Sequence, residues 1–149
     1  MTLVIAIRCT NGVVIGADSA SSDSETGTRQ PVEKLTKVGD HPIVYGGSGD
    51  AGLLQKIDDN LAALSQWSDL NGMCRHIQSL VVPQLRNATE NFVAYPQVPF
   101  NMPPTAILLF GGVLDGEPWI LEIERNGGDT FYDDRLGNFA AIGSGKVLA

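Results

Sequence analysis

Apolar residues cluster in short, strand-like stretches at both ends of this chain and take on a helical spacing only in the middle. Leu3 to Arg8 and Gly12 to Asp18 read as strands joined into a hairpin around Thr10-Asn11-Gly12. Shorter runs from Leu35 to Val38 and from Pro42 to Tyr45 continue the pattern, whereas Ser19 to Pro31 is polar and turn-rich and reads as a loop. At Asp50 the period changes. An acidic capping candidate precedes Leu53, Leu54, Ile57, Leu61 and Leu64, which share one helical face. A second helix starts after Ser68-Asp69 and passes Ile77, Leu80 and Val81; Pro83 either kinks it or restarts it toward Phe92. Prolines at 96, 99, 103 and 104 mark an irregular connection. Strand character returns from Thr105 to Val113 and from Pro118 to Ile123, across the turn Asp115-Gly116, with Asn126-Gly127 as a second hairpin turn and Phe139 to Ile142 as a last strand. Strands, then two helices, then strands again predict a layered α+β domain rather than alternating βαβ units.

Length and composition narrow the classes. At 149 residues the chain holds one domain, residues 1–149, with a real core. A formal net charge of −7 argues against a nucleic-acid partner and against an anionic membrane surface. No apolar run has the length of a membrane span, and the first residues lack a secretory signal, so a cytoplasmic location is expected. Cys9 and Cys74 lack CxxC spacing and read as reduced thiols, and neither His41 nor His76 is spaced with them as ligands. No metal or cofactor is expected. Asn87-Ala88-Thr89 matches a glycosylation acceptor, which carries no meaning in the cytoplasm.

The chemistry centres on Thr2. A methionine followed by so small a residue is readily removed, and removal leaves a threonine that carries both a hydroxyl and a free α-amine. That amine, with an ordinary pKa near 8, can take the hydroxyl proton as the oxygen attacks a carbonyl. The Thr10-Asn11-Gly12 hairpin returns Asp18 to the neighbourhood of Thr2. A lysine brought to the same point, such as Lys34, would favour a developing alkoxide and hold the amine neutral, with the aspartate fixing its direction. Taken singly, Asp18 is better explained as a strand end and Lys34 as a solvated charge.

In sequence order, Thr2, Gly-Val-Val-Ile-Gly-Ala-Asp (12 to 18), Glu-Lys-Leu (33 to 35), Gly-Gly-Ser-Gly-Asp-Ala (46 to 51) and Ala-Ile-Gly-Ser-Gly (141 to 145) resemble a proteasome β-type subunit. That group takes in archaeal and eukaryotic β subunits, the bacterial heat-shock-locus peptidase and smaller bacterial homologues. The resemblance implies an N-terminal nucleophile hydrolase, a four-layer αββα sandwich of antiparallel sheets. It implies a threonine endopeptidase acting on peptides or unfolded proteins. Identical subunits would assemble in stacked rings of six or seven, with an ATPase unfoldase as a possible partner. Carried over by position, Thr2 is the nucleophile, Asp18 and Lys34 the supporting ion pair, the Gly47 N–H the oxyanion donor and Ser144 a hydroxyl near the terminal amine. The sequence departs from the family's pattern at Ala20, where arginine is common, and at Lys146, where a second serine is common. The glycine stretch is one residue short, which leaves Gly46 and Ser48 open as oxyanion donors. The family continues with further helices and strands beyond the position of Ala149, so the last elements of the sandwich are expected to be missing from this chain and the natural polypeptide to be longer.

Two other readings compete. Gly47-Ser48-Gly49-Asp50-Ala51-Gly52 fits G-x-G-x-x-G between a predicted strand and a predicted helix, the setting of a dinucleotide-binding turn. Proteasome-type rings also contain scaffold subunits without working nucleophiles, and a retained Met1 would fit such a role.

Overall fold

The structure is a computed structural model that describes residues 2–22, 28–92, 102–124, 129–132 and 138–146. Strands β1 (Val4–Cys9) and β2 (Gly12–Ala17) form the expected hairpin, with Val4 opposite Ala17 and Cys9 opposite Gly12. The last described strand, β10 (Phe139–Ile142), pairs antiparallel on the other side of β1 and completes a three-stranded sheet, β10-β1-β2. A second, five-stranded antiparallel sheet runs β5 (Leu35–Lys37), β6 (Ile43–Gly49), β7 (Ala106–Leu114), β8 (Glu117–Ile123) and β9 (Asp129–Tyr132). The β7–β8 turn places Asp115 at φ 51° and Gly116 at φ 82°, the left-handed pair that a two-residue hairpin turn requires. The predicted Asn126-Gly127 turn lies outside the described residues.

The alternation along β7 and β8 decides which layer each side chain enters. Leu108, Phe110, Trp119, Leu121 and Ile123 face helices α1 (Ala51–Leu61) and α2 (Leu70–Glu90), while Leu109 and Ile120 face the three-stranded sheet beside Val4, Ala6 and Ile142. The described residues therefore stack as a helix pair, a five-stranded sheet and a three-stranded sheet, three layers of the expected four. On the outer face of the three-stranded sheet, Val14, Ile7 and Phe139 lie side by side in register and are exposed.

Both helices begin where the sequence places them, and each is capped: Asp50, the capping candidate, accepts from the Leu53 N–H at 2.9 Å through Oδ1, and Asp69 Oδ1 accepts from the Gly72 N–H at 2.8 Å. Pro83 neither ends nor restarts α2. Met73, Ile77, Val81 and Leu85 are all buried along one face. At roughly 1.5 to 3 kcal/mol for each buried side chain, their packing outweighs the roughly 3 kcal/mol that an interior proline costs.

Two further departures matter for the site. The stretch read as a loop contains a short hairpin, β3 (Ala20–Ser22) with β4 (Arg29–Pro31). The glycine stretch after Tyr45 is strand, since β6 continues to Gly49. This removes the nucleotide-binding reading. Both neighbours of β6 are antiparallel to it, α1 leads into α2 instead of a parallel strand, and the Asp50 carboxylate already occupies the helix N-terminus.

Candidate active site

Three strands deliver the site to one end of the sandwich. Thr2 precedes β1, Asp18 follows β2 and Ser144 follows β10; because β1 lies between the other two, these residues converge at a single sheet end. The Asp18 N–H donates to Leu3 O at 3.1 Å, and the Gly145 N–H donates to Thr2 O at 3.0 Å, which ties the Thr2–Leu3 segment to both neighbours. Lys34 arrives from the other sheet, on the residue before β5.

Lys34 Nζ is 2.8 Å from Asp18 Oδ2 and 3.4 Å from Thr2 Oγ1. The first contact is a short ion pair and the second a long hydrogen bond. Asp18 also accepts from the backbone N–H of Leu3 at 2.7 Å and of Ala20 at 3.2 Å. Partial burial alone would raise its pKa. The Lys34 hydrogen bond, the two N–H donors and the lysine charge outweigh that and hold the carboxyl down to about 2. The Thr2 backbone N–H donates to Ser144 Oγ at 3.2 Å, so the atom that would become the free amine already has a hydroxyl beside it.

Glycines set the spacing. Gly143 has φ 93°, and a Cβ there would collide with the Thr2 carbonyl oxygen. A Cβ on Gly46 would stand 2.8 Å from Val4 Cγ1 and 3.1 Å from Lys34 O, so its hydrogen lets the two sheets close up where Lys34 crosses toward Thr2. Gly47 is packed against Leu54 of α1, where a Cβ would collide with Leu54 Cδ2 and push that side chain aside. Pairing with β5 stops at Gly46, so Gly47 to Gly49 pair with β7 alone. A cavity of about 320 Å³ opens beside this edge, lined by Lys34 and Gly47 together with Val32, Tyr45, Leu54 and Asp58. Larger cavities of about 600 and 500 Å³ lie against α2, and none of Thr2, Asp18 and Lys34 lines them.

The profile of the proteasome subunit family matches residues 2–149. The chain belongs to the proteasome subunit family. It is 30% identical over 127 residues to proteasome subunit alpha of Haloquadratum walsbyi, an alignment that takes in 85% of this chain and 48% of that relative. The chain thus spans about half the length of the curated relative it matches. Among solved structures it resembles a mutant of Anbu from Hyphomicrobium sp. strain MC1, with a TM-score of 0.68 and 20% identity over 97% of this chain and 60% of that one. Eukaryotic HslV from Trypanosoma brucei matches with a TM-score of 0.59 and 18% identity over 97% of this chain and 73% of that one. At such identities the likeness is one of fold, and it agrees with the antiparallel sheets described above.

Within this proteasome-family fold, Thr2, Asp18, Lys34 and Ser144 form one connected cluster, while Gly47 stands in the adjoining cavity with Lys34. Sequence reasoning missed the spacing glycines at 46 and 143 and the hydrogen bond from the Tyr45 hydroxyl to Asp58 at 2.8 Å. The glycines were visible within matched motifs, but their reason is contact between sheets. Among the described residues, no group of three or more His, Cys, Asp or Glu could hold a metal, and no helix is long and apolar enough to cross a membrane.

Proposed function

We propose that this chain is a threonine-type peptidase subunit of a self-compartmentalised ring protease, with Thr2 as its nucleophile once Met1 has been removed. The convergence of Lys34 Nζ on both Asp18 and Thr2 Oγ1, beside a hydroxyl at Thr2 N, carries this reading. In the reaction, the α-amine takes the hydroxyl proton as Thr2 Oγ1 attacks the substrate carbonyl carbon. The charge that collects on the carbonyl oxygen is held by the Gly47 N–H. Collapse of the tetrahedral adduct breaks the C–N bond, the ammonium returns its proton to the leaving amine, and an ester is left on Thr2. Water, deprotonated by the same amine, then hydrolyses that ester. Lys34 stabilises the oxygen while it is anionic, and Asp18 keeps the lysine aimed.

A positioned base contributes roughly 10² to 10⁴ in rate, and an oxyanion donor about 10² to 10³. Fluorogenic peptide hydrolysis by full-length Thr2→Ala, compared with wild type, tests the assignment. Turnover falls by at least about 10³-fold, and wild-type turnover in the variant refutes it. The stacked rings, the cytoplasmic location and the substrate class of peptides or unfolded proteins belong to the same proposal.

The match to a relative named as an α subunit favours a second reading, a ring scaffold without turnover. Under it Met1 stays in place, and Thr2 N remains a peptide N–H with no capacity to act as base.

A further inference from the structure

The cavity beside Lys34 and Gly47 is lined by apolar and acidic side chains together. Val32 and Leu54 supply apolar lining, and Gly47 contributes no side chain. Tyr45 on β6, Asp58 one turn after Leu54 on α1, and Glu33 complete the polar part of the lining. The Tyr45 hydroxyl donates to Asp58 Oδ1 at 2.8 Å. Burial and the neighbouring Asp58 raise the Tyr45 pKa far above the ordinary phenol range, so this donor stays protonated at any working pH. The bond fixes the plane of the Asp58 carboxylate and leaves its second oxygen for another donor. The charge count is asymmetric. Lys34, which also lines the cavity, is already neutralised by Asp18, whereas the carboxylates of Asp58 and Glu33 have no cation paired with them among the described contacts.

We infer that this cavity takes a lysine or arginine side chain of the substrate, with Asp58 as the residue that sets the preference. The inference rests on the peptidase reading of Thr2. The aliphatic stem of such a side chain lies along Val32 and Leu54, and its charged head reaches the carboxylate that Tyr45 holds in place. An acidic side chain would meet Asp58 and Glu33 with like charge, and an aliphatic one would bring no donor to the Asp58 oxygen that Tyr45 leaves free. A hydrogen bond between charged groups at a partly buried site is worth about 10- to 150-fold in specificity.

The experiment uses the full-length protein and three peptide substrates that share one leaving group and carry arginine, leucine or glutamate before the scissile bond. Wild type is compared with Asp58→Asn, which keeps the shape and still accepts from Tyr45, and with Tyr45→Phe, which removes only the hydroxyl. The wild-type ratio of kcat/KM for arginine over leucine exceeds about 10, and Asp58→Asn lowers that ratio by at least about 10-fold; Tyr45→Phe lowers it by a smaller factor because the carboxylate is still present but no longer aimed. Hydrolysis of all three substrates with leucine preferred, or an unchanged ratio in Asp58→Asn, overturns the inference and leaves the peptidase reading standing. Absence of hydrolysis together with absence of a covalent epoxyketone adduct on Thr2 overturns both.

Discussion

Replacing Lys34 by alanine removes the cation nearest the Thr2 hydroxyl and leaves the Asp18 carboxylate in place. At 3.4 Å, a full negative charge on Thr2 Oγ1 and the lysine ammonium attract by about 5 kcal/mol at an effective dielectric constant of 20. The oxygen is only partly charged in the transition state, and Asp18, 2.8 Å from the same ammonium, opposes the effect. About half of the attraction, ~2.5 kcal/mol, is then the lysine's share, equivalent to a rate loss of about 10²-fold. The loss should exceed that of the double variant Asp18→Asn with Lys34→Ala, because in the single variant an uncompensated carboxylate faces the developing alkoxide. Folding is expected to survive, since Asp18 keeps the Leu3 and Ala20 N–H donors and its side chain is 33% exposed. The assay is kcat/KM for a fluorogenic peptide, together with the rate of covalent inactivation, for wild type and the two variants. A single variant within about 3-fold of wild type, or a double variant slower than the single one, would refute the electrostatic role given to Lys34.

Gly143→Ala forces a side chain into a left-handed backbone position against the Thr2 carbonyl oxygen; unfolding in urea should show a loss of about 2 to 4 kcal/mol, with Thr2 reactivity lost in the fraction that remains folded. The Asp18 carboxyl is lowered from 3.8 to about 2, so its stabilising contribution is fully present above pH 4 and disappears as pH falls from about 4 toward 2. Solvent screening at a carboxylate that is 33% exposed limits that contribution to about 1 to 2 kcal/mol. Asp18→Asn should therefore flatten the stability profile between pH 4 and pH 2, and acid titrations of both proteins followed by circular dichroism check it.

Local pattern made the β1–β2 hairpin legible, and with it the return of Asp18 to Thr2, because a short turn fixes the register without help from the rest of the chain. The starts of α1 and α2 were equally readable, from the capping candidate Asp50 and from Ser68-Asp69. Lys34 and Ser144 were different. They reach Thr2 across 32 and 142 residues through sheet pairing and sheet packing, which no window of sequence encodes; the chemistry suggested Lys34 without placing it, and only the family resemblance brought in Ser144. The β3–β4 hairpin consists of three-residue polar strands with no apolar alternation to betray them. Continuation of β6 through Gly46 to Gly49 was hidden because glycine ordinarily signals a turn; here it serves close approach to Val4, Leu54 and Thr105 within a paired strand. Pro83 misled in the opposite direction, since burial of the α2 face settles the helix against local propensity.

Whether Thr2 is a nucleophile with its own amine as base is decided by the intact mass of the full-length protein before and after exposure to a peptide epoxyketone, which captures a terminal threonine through hydroxyl and amine together. A working nucleophile gives a mass lacking Met1 and, after exposure, a single adduct that maps to Thr2 and is absent from Thr2→Ala. A mass that retains Met1, with no adduct formed, would contradict a nucleophilic Thr2 and leave a ring scaffold as the role to pursue.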